Sequence, residues 1–263
     1  MKNKIAIILT SIARPQALKK SVESIVAQWQ DAWVLFVGLQ DGIGSEEWEI
    51  IAKIIEENPD KSIRLYDLEY DCGISVARNE LINKASLGNC SHILLSADSI
   101  LFNDSMKDLG FIIQEMERKE YSLCGLNLKN RKCNWEGFLT LIPNQSFCLQ
   151  FINPIEKTKK LLVPVDIVKN FWIAKTEALI QVPYDEQLVA CEHEDWFYRY
   201  KEAKYTSCCT NFINGMYEKG NNTPEYDKIR ANNFRIGQQR LKDKYQINSW
   251  ITYLNQEYCN EKT

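Results

Sequence analysis

No segment of this 263-residue chain holds the roughly 18 to 20 consecutive apolar residues that a membrane span needs. The apolar run Ile5–Leu9 is followed by Arg14-Pro15 rather than a cleavage site, so it is expected to be a first strand and not a leader. Nine cysteines are present, but no C-x-x-C pair occurs, and the adjacent Cys208-Cys209 is not a zinc spacing. The odd count and these spacings argue for reduced thiols in a cytosol, packed as small hydrophobes. A basic surplus is missing too. Against 35 Asp and Glu stand 32 Lys and Arg, a net charge of −3, which argues against tight binding to nucleic acid. Repeats, low-complexity tracts and Pro/Gly-rich linkers are absent, so the sequence calls for no second globular domain. The content of hydrophobic residues (45%) and charged residues (25%) is that of a globular protein long enough for a sizeable core.

What is present is alternation. Ile5–Leu9 and Trp33–Val37 are apolar throughout, as strands covered on both faces are. Ile63–Tyr66 and Ile93–Leu95 are shorter runs of the same kind. Between them, Leu18, Val22, Ile25 and Val26 recur at helical spacing. Glu46–Glu57 forms a helix pattern with Ser45 placed to cap it, and Val76–Ala85 forms another. Strand and helix alternating four times predict a mainly parallel sheet flanked by helices. Further on, helices are expected over Met106–Lys119, over Trp196–Ala203 and over a polar tail, Pro224–Tyr245. Strands are expected at Tyr121–Leu128, Phe138–Ile142 and Phe147–Ile152, and Val165–Ile173 is an apolar stretch interrupted by Lys169-Asn170.

Open parallel sheets bind ligands at the carboxyl ends of their strands. Three polar stretches fall there: Thr10–Arg14, Gln40–Gly42 and Ser96–Ser99. An acid at the end of a buried strand, Asp98, has two readings. It caps the following turn together with Ser96 and Ser99, or it meets a ligand. Asp41 before Gly42 is either a plain turn residue or a hydrogen-bond acceptor at the same edge. Late in the chain, Glu192-His193-Glu194-Asp195 precedes Trp196. Acids favour a helix N-terminus, yet four ionisable residues in a row exceed what capping needs.

Four ordered blocks carry a family resemblance: "AIILTSIARPQALKKSVESIVAQ", "VLFVGLQDGIGSEEWEII", "CGISVARNELINKASLGNCSHILLSADSILF" and "VDIVKNFWIAKTEALIQVPYDEQLVACEHEDWFYRYKEAKY". Together they span roughly residues 4 to 215 and resemble the GT-A glycosyltransferases of the family 2 type. The last two blocks look nearest to the β-1,4-N-acetylgalactosaminyltransferase and fukutin-related branch.

The resemblance implies a single GT-A, Rossmann-like α/β domain over residues 1–223, with the tail from 224 packed on it. It implies an inverting transfer from a nucleotide diphosphate sugar, most often a UDP-sugar, to a hydroxyl of a glycan or glycoconjugate. Donor-side positions would be Thr10, Arg14, Asp41, Gly73, Arg78, Ser96, Asp98 and Asn170, with Asp71 beside the ribose. Asp195 or Glu194 would be the general base, Asp195 by preference. A divalent cation, Mn2+ or Mg2+, would rest on Asp98. The first acid of the usual D-x-D run is Ser96 here, a departure that weakens such a site. The chain has two histidines, His92 and His193, and none where relatives place a late metal ligand; His193 or Glu218 would substitute. Asn170, Phe171 and Trp172 would line the sugar side unless the aromatics are core. Two other functions fit the same residues: a sugar-nucleotide or glycan binding module without turnover, and a glycosyltransferase acting on a modified nucleic-acid base.

Overall fold

The computed structural model describes residues 4–131, 135–153, 159–219 and 222–255. β1 (Ile5–Ser11), β2 (Trp33–Leu39), β3 (Ile63–Asp67) and β4 (His92–Leu95) run parallel in the spatial order β3-β2-β1-β4. The crossovers are α1 (Pro15–Ala27), α2 (Glu46–Glu57) and α3 (Ile74–Leu87). Consecutive residues of β1 face opposite sides of the sheet. Ala6 and Ile8 join one apolar core with Phe36, Ile93 and Trp172, and Ile5, Ile7 and Leu9 join the other with Val37, Leu94 and Ile173. Two cores, one per face, explain why β1 and β2 carry unbroken apolar runs.

After β4 come β5 (Ile100–Leu101), a short 3-10 turn at Asp104–Asp108 and α4 (Leu109–Arg118). Then follow β6 (Leu123–Lys129), β7 (Gly137–Ile142), β8 (Ser146–Phe151), β9 (Val163–Val165), β10 (Trp172–Lys175) and α5 (Thr176–Gln181). The described chain continues through α6 (Glu192–Glu202), β11 (Ser207–Tyr217), α7 (Pro224–Tyr245) and β12 (Ile251–Leu254). β10 enters the main sheet antiparallel to both β4 and β6, and β11 lies parallel to β6. The result is a nine-stranded mixed sheet, with a separate three-stranded sheet of order β12-β8-β7.

The stretch Val165–Ile173 is not one element. β9 ends at Val165 and β10 starts at Trp172, with Lys169 and Asn170 in the link between them. The β11 strand has no clear alternation in "SCCTNFINGMY", and its pairing with β6 is interrupted between Cys209 and Asn214. Its place is set by neighbours on both sides rather than by its own pattern. The polar α7 buries Gly237 and Leu241 along its length. Gly237 lets the helix approach closely: a β-carbon there would sit 2.2 Å from the Ala190 carbonyl oxygen.

Candidate functional site

The ends of β1, β2 and β4 converge on one turn, Ser11 to Arg14. Ala13 adopts φ 52°, in the left-handed region that an alanine seldom enters. Its amide donates to Asp41 Oδ2 at 2.8 Å, and the Arg14 amide donates to Glu47 Oε1 at 2.7 Å. Ser11 Oγ reaches Glu47 Oε1 at 2.8 Å and Asp98 Oδ2 at 3.2 Å. The Arg14 guanidinium pairs with Asp98 Oδ1, both side chains being buried. Three carboxylates on three segments thus surround one turn.

Burial governs their acidity. It pushes the Glu47 carboxyl up to about 7, with the Ser11 and Arg14 hydrogen bonds working against the rise and Asp41 and Asp98 adding to it. Burial also raises Asp98, and Arg14 opposes that shift. Glu47 Oε2 and Ser96 Oγ are buried without a hydrogen-bond partner among the described residues. Beside this turn lies an open cleft of about 330 Å³, lined by Asp41, Ser45, Glu46, Glu47, Tyr70 and Thr223 among others.

α7 covers the turn. Thr223, its N-cap, donates from Oγ1 to the Ala13 carbonyl at 3.0 Å, and the Tyr226 ring lies 4.8 Å from the Arg14 guanidinium carbon. Tyr70 donates to Glu225 at 2.8 Å, and Asn233 donates to Asp71 Oδ1 at 2.8 Å. None of Glu47, Thr223, Tyr226 and Asn233 stands out in the sequence. Glu47 passes for one more acid in a first helical turn, and the others sit in a helix with no apolar stripe.

The other expected residues divide into two groups. Thr10 pairs with Gly38 near the end of β1, within reach of the edge. Gly73 has φ 85°, and a β-carbon there would meet the Val189 backbone at 3.0 Å, so its freedom serves a close chain approach. Arg78 is committed to a buried ion pair with Glu192 at 2.6 Å and lies over the Tyr184 ring, joining α3 to α6. Asn170 Oδ1 has no hydrogen-bond partner among the described residues. Phe171 and Trp172 are fully buried, and Trp172 stacks on Trp196 at 5.6 Å, so both are core rather than lining.

At the start of α6 the four ionisable residues have separate surroundings. Asp195 is fully buried and saturated: Arg199 Nε at 2.8 Å on Oδ2, with Tyr245 OH at 2.8 Å and Lys244 Nζ at 2.6 Å on Oδ1. Glu194 accepts from Trp250 Nε1 at 3.2 Å, while its Oε1 has no hydrogen-bond partner among the described residues. Burial pushes its carboxyl up to about 8. His193 packs edge-on against Trp135 and Phe197. Burial, then Arg78 and Arg131, lower it to about 3, so the ring is neutral at physiological pH.

These residues do not fit a divalent cation. Both oxygens of Asp98 are engaged by protein donors, one of them a guanidinium that a cation would have to displace or face. His193 contacts aromatic rings rather than Asp98, and Glu218 pairs with Lys20. Among the described residues no group of three His, Cys, Asp or Glu is arranged to hold a metal ion.

No protein-family model matches this chain, and no curated protein matches it in sequence. Solved structures do match in fold. S. aureus TarS is 11% identical with a TM-score of 0.55, covering 91% of this chain and 40% of that one. The mannosyltransferase PcManGT from Pyrobaculum calidifontis, solved with GDP-Man and Mn2+, is 10% identical with a TM-score of 0.62, covering 92% of this chain and 65% of that one. GalNAc-T7, solved with UDP, GalNAc and Mn2+, is 9% identical with a TM-score of 0.65, covering 83% of this chain and 44% of that one. This chain thus spans less than two thirds of each. The shared architecture is the GT-A fold: a mixed, largely parallel, Rossmann-like sheet flanked by helices. Among the described residues no helix is long and apolar enough to cross a membrane.

Proposed function

We propose that this chain is a glycosyltransferase that moves a sugar from a nucleoside diphosphate sugar to a hydroxyl of a glycan or glycoconjugate. The observation that carries this reading is the convergence of Arg14, Asp41 and Asp98 at the carboxyl ends of three parallel strands. It occurs in a fold shared with a mannosyltransferase and with GalNAc-T7. Asp41 borders the cleft and accepts a ring N–H of the base, uracil being favoured by the motif blocks. The same blocks favour a family 2 enzyme of the N-acetylgalactosaminyltransferase and fukutin-related branch. The buried thiols of Cys90, Cys124, Cys148 and Cys208 suit a cytosolic setting.

Transfer is a single displacement. The acceptor oxygen attacks the anomeric carbon as the bond to the diphosphate breaks, and the configuration inverts. The hydroxyl proton goes to a carboxylate. Of the acidic pair at the start of α6, Glu194 suits this role better than Asp195. Glu194 has an oxygen without a hydrogen-bond partner and a pKa close to the operating range of a general base, whereas Asp195 is held by three side chains. Trp135, Trp250 and Tyr253 form an aromatic group beside Glu194, and apolar sugar faces stack well on such rings.

The test is incubation with a panel of UDP- and GDP-sugars, with and without glycan acceptors, reading nucleoside diphosphate release and product mass. Turnover with one donor, lost in Asp41→Ala, supports the reading. Binding of a nucleotide sugar without any turnover points instead to a binding module. No binding and no turnover across the panel overturns it.

A further inference from the structure

Arg14 is the first of three guanidinium groups gathered at the carboxyl edge. It is 7% exposed and uses one nitrogen, Nη1, on Asp98. Its Nε is buried without a hydrogen-bond partner among the described residues. The Tyr226 ring packs against it, its centroid 4.8 Å from the guanidinium carbon. One helical turn after Tyr226 comes Arg230, an exposed residue whose Nη1 lies 3.3 Å from the Tyr226 hydroxyl. The positive charge of Arg230 reaches both Asp98 and Arg131. Arg131 in turn lies over the Tyr217 ring at 5.6 Å. In a chain of net charge −3, these guanidinium groups lie together at the edge where Asp41, Glu47 and Asp98 also meet.

We infer that Arg14 and Arg230, with Arg131 behind them, hold the diphosphate of the donor directly, in place of a divalent cation. The inference rests on the nucleotide-sugar reading above and specifies how that anion is neutralised. Three observations lead to it. Ser96 stands where a second carboxylate would be needed, and its Oγ is an unpaired hydroxyl rather than a charge. Asp98 is already occupied on both oxygens, so it serves to orient Arg14 instead of binding an ion. Arg14 reaches Asp98 through Nη1 and its Nε has no acceptor among the described residues, and a planar fork of N–H groups matches phosphate oxygens in pairs. The cation that charge balance demands is thus built into the chain, one part on the turn after β1 and the other on α7.

The test is calorimetric titration of UDP and of GDP into the protein, in EDTA and in Mn2+, for wild type, Arg230→Met and Asp98→Asn. Arg230 is exposed, so its variant keeps the fold, checked by circular dichroism. The expected result is binding of one nucleoside diphosphate in EDTA with no gain from Mn2+. Arg230→Met should weaken it about tenfold, the value of one charge-assisted contact. Asp98→Asn keeps a side-chain oxygen that accepts from Arg14 and removes the competing negative charge, so EDTA binding should stay in place or tighten. Binding that needs Mn2+ and is lost in Asp98→Asn overturns the inference while the nucleotide-sugar reading stands. Wild-type affinity in Arg230→Met overturns it as well. No binding of either nucleotide in either buffer removes the inference together with the reading it rests on.

Discussion

The Tyr245 hydroxyl donates to Asp195 Oδ1 at 2.8 Å, tying the last residue of α7 to the first turn of α6. Lys244 shares that oxygen and Arg199 holds the other. Removing the acid takes a buried acceptor from two half-buried cations and a hydroxyl, while Lys244 keeps Asp185 and Arg199 keeps the Pro183 carbonyl. Asp195→Ala should therefore cost about 1 to 3 kcal/mol, and Tyr245→Phe about 1 kcal/mol, in chemical denaturation. Equal, small effects would mean that the cluster is solvated and contributes little.

Glu194 should behave differently. Glu194→Gln is close in shape and removes a carboxylate whose cost of burial raises its pKa to about 8. Stability should hold or rise at alkaline pH, while sugar transfer falls by about two to four orders of magnitude. In the wild type, kcat/KM should rise with pH as this group loses its proton near 8, and that limb should vanish in the variant. An unchanged pH profile would move the base elsewhere.

Glu47 gives a pH dependence of stability with a defined sign. Its ordinary value is 4.5 and its folded value about 7. Below 4.5 both states hold the proton and nothing is lost. As pH climbs from 4.5 to 7, the unfolded chain releases the proton before the folded one does, so stability falls. Glu47→Gln is neutral throughout. Its melting temperature should exceed that of wild type at pH 8, with the gap closing toward the acid end of the window. Parallel melting curves across the range would show that Glu47 is ionised in the fold.

Gly237→Ala tests the seating of α7. The new β-carbon would meet the Ala190 carbonyl at 2.2 Å, and backbone cannot swing away as a side chain can. An overpacking cost of about 1 to 3 kcal/mol is expected, with faster proteolysis within 222–255. Unaltered protease resistance would mean the helix can slide.

The legible parts of this sequence are those whose signals are local. Ser45 caps α2 as its place before Glu46 suggests, accepting from the Trp48 amide at 3.2 Å. Pro224 opens α7 and Tyr245 ends it, matching the polar helix expected there. The three edge loops follow from alternation alone. What could not be read comes from long-range contacts. Arg14 and Asp98 lie 84 positions apart, and nothing near either one announces a mutual ion pair. Tyr226 and Arg230 belong to a helix with no apolar stripe, so pattern assigns them to solvent. Phe171 and Trp172 look like candidates for a sugar site until the sheet places them at its centre.

The hydrogen bond from Thr223 to Ala13 joins positions 210 apart in the chain. Together with the Asn233–Asp71 and Lys244–Asp195 contacts, it means the carboxyl edge is assembled from distant stretches of chain. Contacts of such separation close large loops and form late in folding. The parallel strands have all the residues they need by Leu95, yet Arg14 and Asp195 gain their α7 partners only once residues 223–245 are in place. A nascent or partly folded chain would therefore already have its parallel strands, with its ligand edge still open, Asp195 without Lys244 and Arg14 without the Tyr226 ring. Such a species is the one a chaperone or a protease would meet.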